Sequence, residues 1–209
     1  MNTLIIKDAA LDPEVAEMLH ADLMKAEYKD MVSPADGVTY PTICTSVEMP
    51  NAQALLASLH RNAKPDDVKI NLSGFRLGIL GDKDDTFCHI DTIYDSQWAA
   101  VLYIGKVCHG GTAFWKHLHT GIDLMPDRRA IEIAGADYNA WHRWMTLETA
   151  RKDSWVLDGF AAMKFNRIIT YPTAKFHSRT PGDIAPPFGN RVDTGRLVWV
   201  AFYDVAPTF

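Results

Sequence analysis

From Val68 almost to its end, the chain is a series of short runs rich in β-branched and aromatic residues. VKINLSGFRLGIL, TFCHI, WAAVLYIG, GTAFWKH, MKFNRIITYP and RLVWVAFYDV follow one another, with Gly, Pro, Asp and Asn between them. Such runs suit pleated, half-buried strands, and their regular interruption predicts an all-β sandwich or barrel. One segment, 137–155, breaks the texture. Trp141, Trp144, Met145 and Leu147 recur there at near-helical spacing, which predicts a helical insertion between strands.

The first third reads differently. Asp12 and Pro13 form an N-cap and a favoured first helical position ahead of Val15, Leu19 and Leu23. Asn51 is placed to cap a second helix with Leu55, Leu56 and Leu59 inward. Residues 1–67 are therefore expected to be mainly helical support for a β core spanning 68–209. At 209 residues the chain suits one domain with a full core. The proline-rich stretch 180–190 (TPGDIAPPFGN) predicts a long loop, a common place for function.

The charge balance narrows the partners. A net charge of −5 and a pI near 5.9 give no general attraction to phosphate backbones, so nucleic acid is disfavoured. The sequence contains no apolar run long enough to cross a membrane, and its N-terminal apolar stretch is too short for a signal peptide. Three cysteines, Cys44, Cys88 and Cys108, with no CxxC pair, suit a reducing compartment, and a cytoplasmic location is expected.

His89 and Asp91 carry the strongest chemical signal. On a strand, residues two apart share a face, so one imidazole and one carboxylate converge while Cys88 and Ile90 point away. Alone, that pair is a weak signal. His177 follows far downstream, just after an apolar run, and supplies a second imidazole. Two nitrogens and one oxygen on one face of a metal leave positions open, as a non-haem Fe(II) that binds both a chelating co-substrate and O₂ requires. Arg196 opens the last apolar run. A guanidinium entering the inside of a barrel demands an anion, and its planar fork suits a carboxylate.

The order HxD, then His, then Arg resembles the 2-oxoglutarate/Fe(II)-dependent oxygenase superfamily. His89-Ile90-Asp91, then WAAVLYIG from Trp98, then Gly110-Gly111-Thr112-Ala113-Phe114 is similar to the HxD, LYLN and GGxTxF succession of its prolyl-hydroxylase-like members. FNRIITY before His177 resembles the strand leading to the distal histidine, and Gly195-Arg196-Leu197-Val198 resembles the strand that carries the 2-oxoglutarate-binding residue. The resemblance covers roughly Phe75 to Tyr203 and is strongest to a small bacterial and phage subgroup.

It implies a double-stranded β-helix (a cupin-like jelly roll) flanked by N-terminal helices. It also implies Fe(II), 2-oxoglutarate and O₂, with the metal on His89, Asp91 and His177 and the co-substrate's distal carboxylate on Arg196. His177 and Arg196 would lie on later strands of one sheet with the HxD pair. The implied reaction is hydroxylation of a substrate C–H bond with release of succinate and CO₂. Two departures bear on the details. The interval from His177 to Arg196 is long, which leaves Arg191 as a competing anion ligand. Val198 stands where many members carry Ser or Thr, which leaves Tyr103 or Ser178 to supply the missing hydrogen bond.

Other residues invite different readings. Cys108, His109, His117 and His119 fit no common zinc spacing. Gly110-Gly111 lacks any phosphate-loop pattern and marks a bulge or a close backbone approach. Trp115, Trp141 and Trp144 are core residues or the lining of a substrate cleft. Two rival functions share the fold: a cupin-like metal enzyme that does not use 2-oxoglutarate, and a catalytically silent binding protein. A small-molecule, amino-acid or peptide substrate is expected, and the resemblance mildly favours a peptide, protein or amino-acid side chain.

Overall fold

The computed structural model describes residues 4–32, 39–44, 46–78, 87–92, 97–107, 110–179 and 191–206. Stretch 180–190 and the Cys108–His109 pair fall outside them. The strands are β1 (Ile5–Lys7), β2 (Lys29–Val32), β3 (Thr39–Cys44), β4 (Val68–Gly78), β5 (Gln97–Tyr103), β6 (Gly111–His117), β7 (Trp155–Ala162), β8 (Arg167–Pro172), β9 (His177–Ser178) and β10 (Arg196–Val205). The helices are α1 (Pro13–Leu23), α2 (Ala52–Ala57), α3 (Arg128–Ile133) and α4 (Tyr138–Glu148).

Seven strands form a large antiparallel sheet in the order β1-β8-β5-β10-β4-β3-β2, and three form a small one in the order β7-β6-β9. His89 extends the small sheet beyond β9 by one bridge, exchanging reciprocal backbone hydrogen bonds of 2.9 Å with His177. With His89 counted on the small sheet, the core strands from β4 onward alternate between two facing sheets except at the β6–β7 pair, which is the double-stranded β-helix. TFCHI was expected to be a strand, but Phe87–Ile90 contains only that single bridge residue.

Strand β10 shows why its sequence is apolar almost throughout. Leu197, Trp199, Ala201 and Tyr203 face one way and join α1 and α2 in a core that includes Leu19, Leu23 and Leu56. Val198, Val200 and Phe202 face the other way, toward Tyr103, Phe114 and Ile169 between the sheets. Covered on both faces, the strand loses the hydrophobic–polar alternation of a half-exposed one. A third cluster, with Cys88, Trp115, Met145, Trp155 and Phe176, packs behind the small sheet.

The expected helices form. The Asp12 side chain accepts from the Glu14 N–H at 2.9 Å with Pro13 at the first helical position. Asn51 precedes α2, but its backbone is left-handed (φ 50°) and its side chain makes no capping bond. Residues 1–67 are less purely helical than expected, because β1, β2 and β3 pair into the large sheet. These runs are too short for their patterning to reveal them, and only pairing with β8 and β4 makes them strands. The insertion is α4, capped by Asp137, whose carboxylate accepts from the Ala140 N–H at 2.8 Å; α3 precedes it. Gly111 is a close backbone approach, because a Cβ there would collide with the Ala161 carbonyl of β7.

Candidate metal centre and its cavity

Three side chains from separate parts of the chain meet at the mouth of the sandwich. His89 Nε2 lies 3.8 Å from Asp91 Oδ1, and His177 Nε2 lies 3.5 Å from Asp91 Oδ2. The two imidazole centroids are 4.4 Å apart, and one ligand-capable atom from each of the three residues falls within 4.8 Å of the others. Two ligands each about 2.1 Å from one ion can lie at most about 4.2 Å apart, so both carboxylate–imidazole spacings fit a shared metal. Among the described residues this is the one such group of three.

Backbone pairing explains the convergence. The bridge between His89 and His177 sets the two histidines side by side, and the Asp91 N–H donates to the Thr173 carbonyl at 2.9 Å. Cys88 turns into the third core cluster, as strand alternation requires. His177 Nδ1 lies 2.8 Å from the Lys175 carbonyl. A carbonyl only accepts, so Nδ1 carries a proton and Nε2 is the nitrogen turned toward Asp91. Desolvation pushes the Asp91 carboxyl up to about 6, with His89 opposing the rise. A desolvated carboxylate between two imidazoles is the electrostatic situation that a bound cation relieves.

The group opens onto a cavity of about 530 Å³ between the sheets, large enough for small organic molecules. Arg196 projects into it from the start of β10, only 7% exposed. Its guanidinium carbon lies 5.4 Å from the centroid of the Tyr103 ring, and among the described residues its buried Nε has no hydrogen-bond partner. Burial lowers its pKa; Arg179 and Arg76 lower it further, while Tyr103 and Tyr171 act against the shift.

Arg191 is elsewhere. Its side chain is exposed, pairs with Asp193 at 2.8 Å and is absent from the described cavity lining. Ser178 lines the cavity and accepts from Trp115 Nε1 at 2.8 Å. Tyr103 is set deeper, with its hydroxyl 2.8 Å from the Thr112 hydroxyl, and it is Thr112 that reaches the lining.

One expected arrangement is corrected. His177 lies on the small sheet beside His89, whereas Arg196 lies on the large sheet. The metal group and the guanidinium therefore face each other across the sandwich, because β9 and β10 belong to opposite layers. Of the two readings of the tryptophans, the core one holds: Trp115 is buried and Trp141 and Trp144 pack against the third cluster, and none of them is in the described cavity lining.

His117 is buried between Thr120 and Glu148, with Nδ1 2.9 Å and Nε2 3.3 Å from their oxygens, and it ties β6 to α4. Arg76, Arg179, Tyr171 and Gln97 line the cavity without having been singled out from sequence. The alternation of VKINLSGFRLG, which puts Arg76 on one face with Leu72 and Gly74, was the available signal for Arg76.

A family model described as a family of unknown function, DUF6445, matches residues 2–203. The chain belongs to the DUF6445 family. No curated protein matches this DUF6445 chain in sequence. Its fold is shared with solved structures of low identity. The epimerase SnoN from nogalamycin biosynthesis, in complex with Fe3+, α-ketoglutarate and nogalamycin RO, is 12% identical, covers 98% of this chain and 82% of its own, and has a TM-score of 0.52. EctD from S. alaskensis with bound Fe is 11% identical, with 97% and 73% coverage and a TM-score of 0.52. HygX from Streptomyces hygroscopicus with nickel and 2-oxoglutarate is 11% identical, with 99% and 83% coverage and a TM-score of 0.52. The DUF6445 chain thus has the jelly-roll fold seen in 2-oxoglutarate-dependent enzymes. Among its described residues no helix is long and apolar enough to cross a membrane.

Proposed function

We propose that this protein is an Fe(II)- and 2-oxoglutarate-dependent oxygenase that hydroxylates a C–H bond of a small molecule, with residues 1–209 acting as one oxygenase domain. The observation that carries the reading is the meeting of His89, Asp91 and His177 at one point, with the buried Arg196 facing it across the cavity. Similar folds crystallised with iron or nickel and with 2-oxoglutarate support it.

His89, Asp91 and His177 would hold Fe(II), and Asp91 supplies the negative charge that retains a divalent ion. Together with 2-oxoglutarate and O₂, the bound iron supplies an oxidant able to break a C–H bond, and succinate and CO₂ are released. The chain's own work is placement. Arg196 would donate from its fork to the distal carboxylate of 2-oxoglutarate, and Tyr103 steadies the guanidinium through its ring face. The Ser178 and Thr112 hydroxyls stand in the lining for further hydrogen bonds to that carboxylate. Phe114 and Tyr171, packed edge-on at 5.1 Å, wall the imidazole of His177 from water.

The test is succinate release by the purified protein with Fe(II), 2-oxoglutarate and a panel of amino acids, peptides and nucleosides. Turnover is expected to require both Fe(II) and 2-oxoglutarate, and to vanish in Asp91→Ala and Arg196→Ala. A wild-type protein that binds divalent metal no better than Asp91→Ala would end the reading. Metal binding without any 2-oxoglutarate binding would instead point to a cupin-like enzyme of other chemistry.

A further inference from the structure

Beyond Arg196, the cavity contains two guanidinium groups that the co-substrate does not need. On β4, Leu72, Gly74, Arg76 and Gly78 share one face, because they pair respectively with Phe202, Val200, Val198 and Arg196 of β10. Arg76 thus stands on the neighbouring strand one inward position along from Arg196, toward Gly74. Arg179, two residues past His177, reaches in from the small sheet, with Nη1 3.2 Å from the point a Cβ on Gly78 would take. Both Arg76 and Arg179 have interactions within the protein.

Next to Arg76 comes a position without a side chain. A Cβ on Gly74 would make an ordinary contact with Ile43 Cγ2 at 3.7 Å, so a small group fits against the strand there without a clash. Leu72, Phe202, Ile43 and Met31 add apolar lining, and Leu72 is 39% exposed. The wall therefore runs from a guanidinium past a bare glycine to apolar side chains. Asp91, proposed as a metal ligand, is the one acid among the described lining residues. The two carboxylates of 2-oxoglutarate have their places on the metal and on Arg196, so a further guanidinium beside them suits an anion of another molecule.

We infer that the Leu72–Gly74–Arg76 face of β4 is the prime-substrate subsite, and that it takes a small carboxylic acid with an apolar portion. The carboxylate pairs with Arg76, and the apolar portion lies over Gly74 against Leu72 and Phe202, held beside the metal group. This assignment rests on the oxygenase reading above and adds the substrate class to it.

Calorimetric titration of the protein loaded with Ni(II) and 2-oxoglutarate tests it. The probes are N-acetyl-L-leucine, N-acetyl-L-methionine and N-acetyl-L-phenylalanine, each against its uncharged amide. At least one acid is expected to bind tenfold or more tightly than its amide. Arg76→Gln should erase that preference while weakening 2-oxoglutarate far less than it weakens the acid. Gly74→Val should weaken acid and amide alike by adding bulk over the bare strand position. Equal binding of acids and amides, or no acid binding by protein that does bind 2-oxoglutarate, overturns the subsite. So does an Arg76→Gln variant that loses 2-oxoglutarate as completely as Arg196→Ala, which would assign Arg76 to the co-substrate. Failure of the wild type to bind 2-oxoglutarate at all would instead defeat the oxygenase reading itself.

Discussion

His177 Nδ1 stands 2.8 Å from the carbonyl oxygen of Lys175, so the backbone at Lys175 sets which nitrogen of His177 faces Asp91. Lys175 is itself anchored. Its side chain is 4% exposed and its ammonium lies 2.6 Å from Asp123 Oδ2, while the Asp123 side chain is 38% exposed. The two partners are thus unequal, since removing Asp123 leaves the buried cation with the more distant Asp158 carboxylate at 3.8 Å, whereas removing the lysine leaves acids that water can reach. Asp123→Ala is expected to cost about 2–3 kcal/mol and Lys175→Met less than about 1 kcal/mol. Urea denaturation of both variants checks this, and equal losses would contradict the asymmetry.

Arg196 carries a buried Nε with no partner among the described residues, and other guanidinium groups share its cavity. Such a placement favours a ligand at the expense of the empty protein. Arg196→Met is expected to melt no lower than the wild type in the absence of ligands, yet to lose at least 100-fold in 2-oxoglutarate affinity, which is about 2.7 kcal/mol. Arg191→Ala, at the exposed pair with Asp193, should leave that affinity unchanged within a factor of two. A melting temperature that collapses in Arg196→Met would show the residue to be structural.

A metal that binds only the folded chain must stabilise it. At about 100 times the dissociation constant, Ni(II) or Mn(II) should add about 2.7 kcal/mol of stability, roughly 5–10 °C in melting temperature for a chain of this size. Asp91→Ala should show none of this shift. Differential scanning fluorimetry with and without chelator reads the difference directly.

His60 supplies a pH dependence remote from the metal group. Its Nε2 lies 2.8 Å from the Tyr203 hydroxyl, which lies 2.7 Å from the Thr170 hydroxyl, and that in turn donates to the Ala99 carbonyl at 2.8 Å. Thr170 has one proton and spends it on Ala99. Tyr203 therefore donates to Thr170, and the N–H of neutral His60 donates to Tyr203. Burial against Trp98 and Tyr203 lowers the His60 pKa. Because the folded value lies below the unfolded one, the contribution is complete above about pH 6.5 and is lost as the pH falls toward the folded value. Stability measured from pH 7.5 to 5 should decline less steeply in His60→Gln than in the wild type. A steeper decline in the variant would contradict the sign.

Legibility in the sequence followed how local the cause was. The Asp12–Pro13 start of α1, the helix after Asp137 and the strand at Arg196 could be read because capping chemistry and β-rich composition act within a few residues. Strands β1, β2 and β3 could not, because they are strands only by virtue of their partners in the large sheet. Arg191 and Arg196 remained rivals in sequence for the same reason: which of them is buried depends on where β10 joins the sheet.

By itself, the sequence determined the β-rich character of residues 68–205, the capped helix before them, and the identities of the three candidate ligands. Only the tertiary structure decided that His177 bridges to His89 while Arg196 faces them from the other sheet, and that Arg76 shares the cavity with Arg196. The physical reason is distance along the chain. Hydrogen-bonded pairing between remote strands selects which side chains become neighbours, and residue spacing contains no record of that choice.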